Sequence, residues 1–134
     1  MRFTFKKLFV LALTAAIWPP LGSAQAAGNP NNGEQIFQSQ CAACHGVTPG
    51  ASGFGPSLAT VYGKPAGGTS GYDYSPAMKN AHLVWDAATL DHFLESPQEI
   101  VPGTKMPFGG LGDPQQRQDV IAYLAQVTHK NLGS

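Results

Sequence analysis

The 134-residue sequence predicts a single all-α domain, with helices joined by long loops and closed around a covalently held prosthetic group. Three observations carry this. Three segments show apolar residues at helical 3/4 spacing behind helix-start signals, and no segment reads convincingly as a strand. Cys41-Ala42-Ala43-Cys44-His45 is a C-x-x-C-H pentapeptide, the attachment signature of a c-type haem. Beyond an export signal the chain has roughly a hundred residues, a size that buries a modest core and often needs a staple, which a large apolar plate can be.

Arg2, Lys6 and Lys7 form a basic start, Leu8 to Ile17 an apolar run, and Ala24-Gln25-Ala26 places small residues at a cleavage position. Residues 1–26 therefore read as a cleaved secretory signal and 27–134 as the mature domain. The apolar run falls short of the about 20 residues of a comfortable membrane span. No stable membrane insertion is expected after cleavage; an uncleaved anchor is the minority reading. A periplasmic location agrees with haem attachment on the outer side of the bacterial inner membrane. Eight Lys/Arg and eight Asp/Glu balance over the whole chain, but three of the cations leave with the signal. Five cations then face eight carboxylates, a net charge of −3 before any haem propionate, so a basic nucleic-acid surface is not indicated.

The first helix is expected from Pro30 to Gln40, with Asn29 as N-cap, Pro30 at N1, and Ile36 and Phe37 on its apolar side. It runs into the pentapeptide. Cys41, Cys44 and His45 stand at i, i+3 and i+4, so on a helical turn all three project toward one face. The two thiols can add across the haem vinyl groups and the imidazole can bind iron. A redox dithiol, half of a zinc site and a structural disulfide are the competing uses of a C-x-x-C pair. These are the only cysteines, no strand precedes them, and so short a disulfide loop would constrain little.

From Val47 to Ala81 the chain is rich in Gly, Pro, Ser and Tyr and holds no period. Phe54, Leu58, Val61, Tyr62, Tyr72 and Tyr74 argue against a solvated linker and for a segment wrapping one edge of a haem. A second helix is expected from Ala87 to Glu95, capped by Asp86 and stopped by Pro97, with Leu90, Phe93 and Leu94 buried. Val101 to Phe108 is a tight irregular stretch. The last helix starts at Asp113-Pro114 and runs to about Thr128, with Val120, Tyr123, Leu124 and Val127 on one side.

A second axial ligand could come from Met78, Met106, His82, His92 or His129. Met106 is preferred on local pattern, because backbone geometry rather than packing places it between Pro102 and Pro107. Met78 fits core filler or an exposed loop position. The later histidines fit surface or helix-face positions.

With these motifs in this order, the mature chain resembles class I c-type cytochromes, the group that includes mitochondrial cytochrome c and its soluble bacterial relatives. The resemblance implies the small cytochrome c fold, three to five helices and long loops around one covalent haem c. It further implies that Gly33 and Phe37 pack on the last helix and that the Pro56 carbonyl accepts the His45 N–H. Tyr72, Tyr74, Ser75 and Trp85 would surround a buried propionate, Met106 would bind iron opposite His45, and Phe108 would cover the ring. Three departures stand out. Lys64 replaces an Arg common near the propionate, Pro107 follows the Met ligand in place of an aliphatic, and the lysine ring used for mitochondrial docking is mostly absent.

The function so implied is one-electron transfer, not enzymatic catalysis, by a monomer shuttling between redox protein partners such as membrane complexes or periplasmic dehydrogenases. Docking would centre on the thioether edge near Ala42, Ala43 and Gly46. A dedicated haem subunit of a periplasmic dehydrogenase or oxidase is the alternative. A five-coordinate haem enzyme or gas sensor would require Met106 not to bind.

Overall fold

A computed structural model of the chain describes residues 27–133; the signal segment expected at 1–26 lies outside them. Among the described residues there are five helices: α1 Pro30–Gln40, α2 Pro76–Lys79, α3 Ala87–Glu95, α4 Pro97–Ile100 and α5 Pro114–Leu132. Among the same residues, extended pairing is limited to two isolated bridges, His45 with Ser52 and Pro65 with Val84. No described helix is long and apolar enough to cross a membrane.

Every helix except α3 opens with Pro in its first turn, where the missing N–H has no intrahelical partner to lose. Side chains of Asn29, Ser75, Asp86 and Asp113 accept first-turn N–H groups of α1, α2, α3 and α5. The bounds of α1 and α3 are those expected from these signals. Two elements were not expected. Helices α2 and α4 are only four residues long, too short to show a period, although Ser75-Pro76 and Ser96-Pro97 carry the same start signature. Helix α5 continues four residues past Thr128 to Leu132 and is capped by Gly133, whose N–H bonds the His129 carbonyl.

The core is one cluster built from Phe37, Met78, Trp85, Leu90, Phe93, Leu94, Val101, Leu111, Val120, Ile121, Tyr123 and Leu124. Helix α1 crosses α5 at Gly33, where a β-carbon would collide with the Asp119 carbonyl and stand 2.9 Å from Tyr123 Cβ. One turn on, the Phe37 and Tyr123 rings meet with centroids 5.5 Å apart. The buried Asp119 carboxylate accepts the Asn29 N–H at 2.7 Å and so locks the start of α1 to α5. The far end of α5 holds the loops: Thr128 Oγ1 accepts the Tyr62 N–H at 3.1 Å, and Asn131 Nδ2 donates to the Val47 and Ala59 carbonyls at 3.2 and 3.0 Å.

Candidate functional site

Helix α1 ends at Gln40 and the chain continues into one more turn, with the Cys44 and His45 N–H groups both bonded to the Cys41 carbonyl at 3.0 Å. That turn brings Cys41, Cys44 and His45 to the wall of a cavity of about 530 Å³. The volume lies within the range of cofactor and ligand sites. Both cysteines are free thiols. Burial, with the neighbouring Cys44 second, pushes the Cys41 thiol up to about 11.

The chain turns back after Gly46 and lays Gly55 against the imidazole of His45. A β-carbon at Gly55 would stand 2.7 Å from Nδ1 and 2.9 Å from Nε2, so only glycine lets the backbone come this close. The contact is held by Gly55 N–H donating to the Cys44 carbonyl at 2.9 Å. Pro56 follows immediately, and its carbonyl lies 2.8 Å from His45 Nδ1. A carbonyl can only accept, so Nδ1 carries the proton and Nε2 keeps the lone pair. An imidazole oriented in this way has one nitrogen committed and leaves the lone pair of the other able to serve a metal.

The other expected residues line the same cavity: Pro56, Tyr74, Ser75, Trp85 and Met106, together with Lys64, Met78 and Phe108. Their placement comes from three sources. Residues 63–66 run beside 83–85, with Gly63 N–H bonding the Trp85 carbonyl, Trp85 N–H the Lys64 carbonyl and Ala66 N–H the Leu83 carbonyl. This pairing puts Lys64 next to Trp85, whose ring packs on Phe93 with centroids 4.8 Å apart. Tyr74 is half-buried and meets Tyr72 edge-on at 4.9 Å. Ser75 is buried, and its Oγ caps α2 by accepting the Met78 N–H at 3.1 Å. That bond uses only a lone pair of the hydroxyl, so its proton stays available to an acceptor.

Met106 is half-buried on an irregular segment between Gly103 and Gly110, both at positive φ, 90° and 100°. Gln98 reaches from α4 to the Thr104 and Met106 carbonyls at 3.2 and 3.3 Å. Beyond it, the Leu111 N–H bonds the Leu94 carbonyl at 2.7 Å, and buried Arg117 bridges the Leu111 carbonyl and Asp91, both at 2.9 Å. Met78 is 7 % exposed and belongs to the core. His82, His92 and His129 are exposed and do not line the cavity.

Two contributors escaped the sequence reading. Gly55 supports the His45 ring, and its signal was its place directly before Pro56. Asp73, between the cavity-lining Tyr72 and Tyr74, pairs with Lys79 and Lys105, with nothing in its neighbours to announce it. Paired thiols, an oriented imidazole and a largely apolar cavity in one place suit a haem. Among the described residues no three His, Cys, Asp or Glu side chains converge as a site for a bare ion.

Comparison with known proteins agrees with this chemistry. The sequence model of the family described as Cytochrome c matches residues 30–128. Cytochrome c2 of Rhodomicrobium vannielii is 54 % identical over 112 residues, 83 % of this chain and 87 % of the relative. Cytochrome c of Sesamum indicum is 46 % identical over 102 residues, 75 % of this chain and 92 % of the relative. Among solved structures, cytochrome cH from Methylobacterium extorquens superposes with a TM-score of 0.69 at 44 % identity, covering 74 % of this chain and 99 % of that one. Likeness of this extent, in both sequence and fold, places the chain in the cytochrome c family, as a mono-haem electron carrier with one covalent haem c and not an enzyme.

Proposed function

We propose that this cytochrome c is a periplasmic one-electron carrier, exported by residues 1–26, whose iron is held by His45 Nε2 and by the thioether sulfur of Met106. The observation that carries the ligand set is the 2.8 Å bond from His45 Nδ1 to the Pro56 carbonyl, in a cavity that Met106 also lines. The haem supplies the ferric/ferrous couple; the protein's part is to hold both ligands still in both states. Cys41 and Cys44 anchor the ring by thioethers. The soft Met106 thioether favours ferrous iron and, with the apolar lining, raises the reduction potential. Tyr74, Ser75 and Trp85 offer donors to the propionates, and Lys64 beside Trp85 offers a cation.

The experiment compares two methionine variants. Met106→Ala abolishes the far-red thioether-to-iron band, opens a coordination site and lowers the potential. Met78→Ala empties a core position and costs about 2–5 kcal/mol of stability, yet leaves the band in place. The opposite pattern overturns the assignment.

The partners are redox proteins that dock briefly at the thioether edge, with the carrier monomeric. One observation favours a second reading, a dedicated haem subunit of a periplasmic dehydrogenase or oxidase. Of the exposed cations at the cavity, Lys105 is already paired with Asp73, as is neighbouring Lys79, which leaves little positive rim for steering many partners. Purification at native concentration separates the two: a shuttle elutes alone, a subunit with its enzyme.

A further inference from the structure

We propose that Asp73 is a positioning residue that latches the Met106 segment over the haem cavity. The proposal rests on Met106 being an iron ligand, as set out above. Lys105, next to Met106, donates from Nζ to the Asp73 backbone carbonyl at 2.7 Å and to Oδ2 at 2.9 Å. Lys79, at the end of α2, donates to Oδ1 at 3.2 Å. Both carboxylate oxygens are thus engaged, one by the segment that carries Met106 and one by Lys79 at the end of α2. The two lysines hold the Asp73 carboxyl below its ordinary range, with Lys105 the stronger influence.

The two sides of this contact differ in how firmly they are held. Asp73 lies between residues that are tied down: the Tyr72 hydroxyl donates to the Phe54 carbonyl at 3.0 Å, and Ser75 caps α2. The Met106 side is looser. From Thr104 to Gly110 the backbone takes no helical or strand bonds, and both ends turn at positive-φ glycines, Gly103 and Gly110. Its hydrogen bonds to other elements before Leu111 are the long Gln98 bonds and the Lys105–Asp73 contact. Segments whose backbone is tied by few hydrogen bonds, with turns at both ends, open first. The lysine and aspartate side chains are well exposed, 48 % and 83 %, so charge rather than packing closes the latch. Such a closure is sensitive to salt, unlike the apolar cavity behind it.

The test uses the ferric holoprotein and its capture of imidazole, followed by loss of the far-red band. At high imidazole the limiting rate reads how often the Met106 segment opens. Asp73→Asn keeps the backbone carbonyl but removes the carboxylate charge, and raises this rate about threefold to tenfold. Asp73→Glu restores the slow rate, and Lys79→Gln accelerates opening less than Lys105→Gln. In the wild type the rate climbs with ionic strength toward that of Asp73→Asn, which itself stays flat. If the band is present and Asp73→Asn opens at the wild-type rate, the latch is wrong while the ligand assignment stands. An absent band in the wild type removes the ligand assignment and the latch with it.

Discussion

Gly33→Ala tests the helix crossing that builds this domain. In a helix interior this exchange alone stabilises by about 0.8–1 kcal/mol, because alanine loses less backbone freedom. The structure reverses the sign. The new methyl group falls inside the Asp119 carbonyl group and 2.9 Å from Tyr123 Cβ. Backbone of α5 cannot rotate away as a side-chain tip would, so α1 and α5 must separate. Separation loosens Phe37 and Val120, each 1 % exposed, and stretches the Asn29–Asp119 bond. Overpacking of a tight core costs about 1–3 kcal/mol, and a backbone collision belongs at or beyond the upper end. Set against the propensity gain, the net loss is about 2 kcal/mol, which lowers Tm by roughly 8 °C or more in a domain of this size. Thermal unfolding of the holoprotein, followed by far-UV circular dichroism at one pH, reads the difference. An unchanged or raised Tm would show that the helices do not meet at Gly33, since propensity would then act alone.

Replacing both Cys41 and Cys44 by Ala removes the thioether anchors, and the product is expected to carry no covalent haem and to fold poorly; a stable helical apoprotein from that variant would refute the haem's place in the core. Asp119 gives a pH dependence with a definite sign. The Asn29 N–H, then Gln115 and Asn32, hold its carboxyl below the ordinary carboxylate range, so its contribution is complete above the unfolded value of about 4 and is lost as pH falls through the folded value. Asp119→Asn should lower Tm at neutral pH and flatten the acid limb of the stability curve, and an acid limb as steep as the wild type's would assign that loss to another group.

The start of α1 was legible because its signals are local: Asn29 caps within two residues and Pro30 suits only the first turn. The same signature stood before α2 and α4, but four residues cannot display a period, and the surrounding loop hid them. The end of α5 was misread for a different reason. Thr128 and Asn131 look like the polar finish of an amphipathic helix, yet they face inward and bond to the Tyr62, Val47 and Ala59 backbone. A polar residue satisfied by a distant loop has the same letter as one satisfied by water.

In the site the division is similar. Cys41, Cys44 and His45 are one helical turn, so their chemistry and their common face follow from spacing alone. Met106 could be ranked above Met78 from its neighbours, and the structure adds that Met78 is core. The residues that orient the His45 imidazole were within reach only through family likeness: the Pro56 carbonyl is eleven positions from His45 and arrives because Gly55 lets the chain close over the ring. Asp73 is further removed, thirty-two positions from Lys105, and their pairing was invisible until the two loops stood side by side. Caps, turns and attachment chemistry act over one to four residues, so the sequence by itself determines them. Which carbonyl meets His45, which carboxylate meets Lys105 and which backbone Gly33 must clear depend on how distant segments pack, and only the tertiary structure decides them.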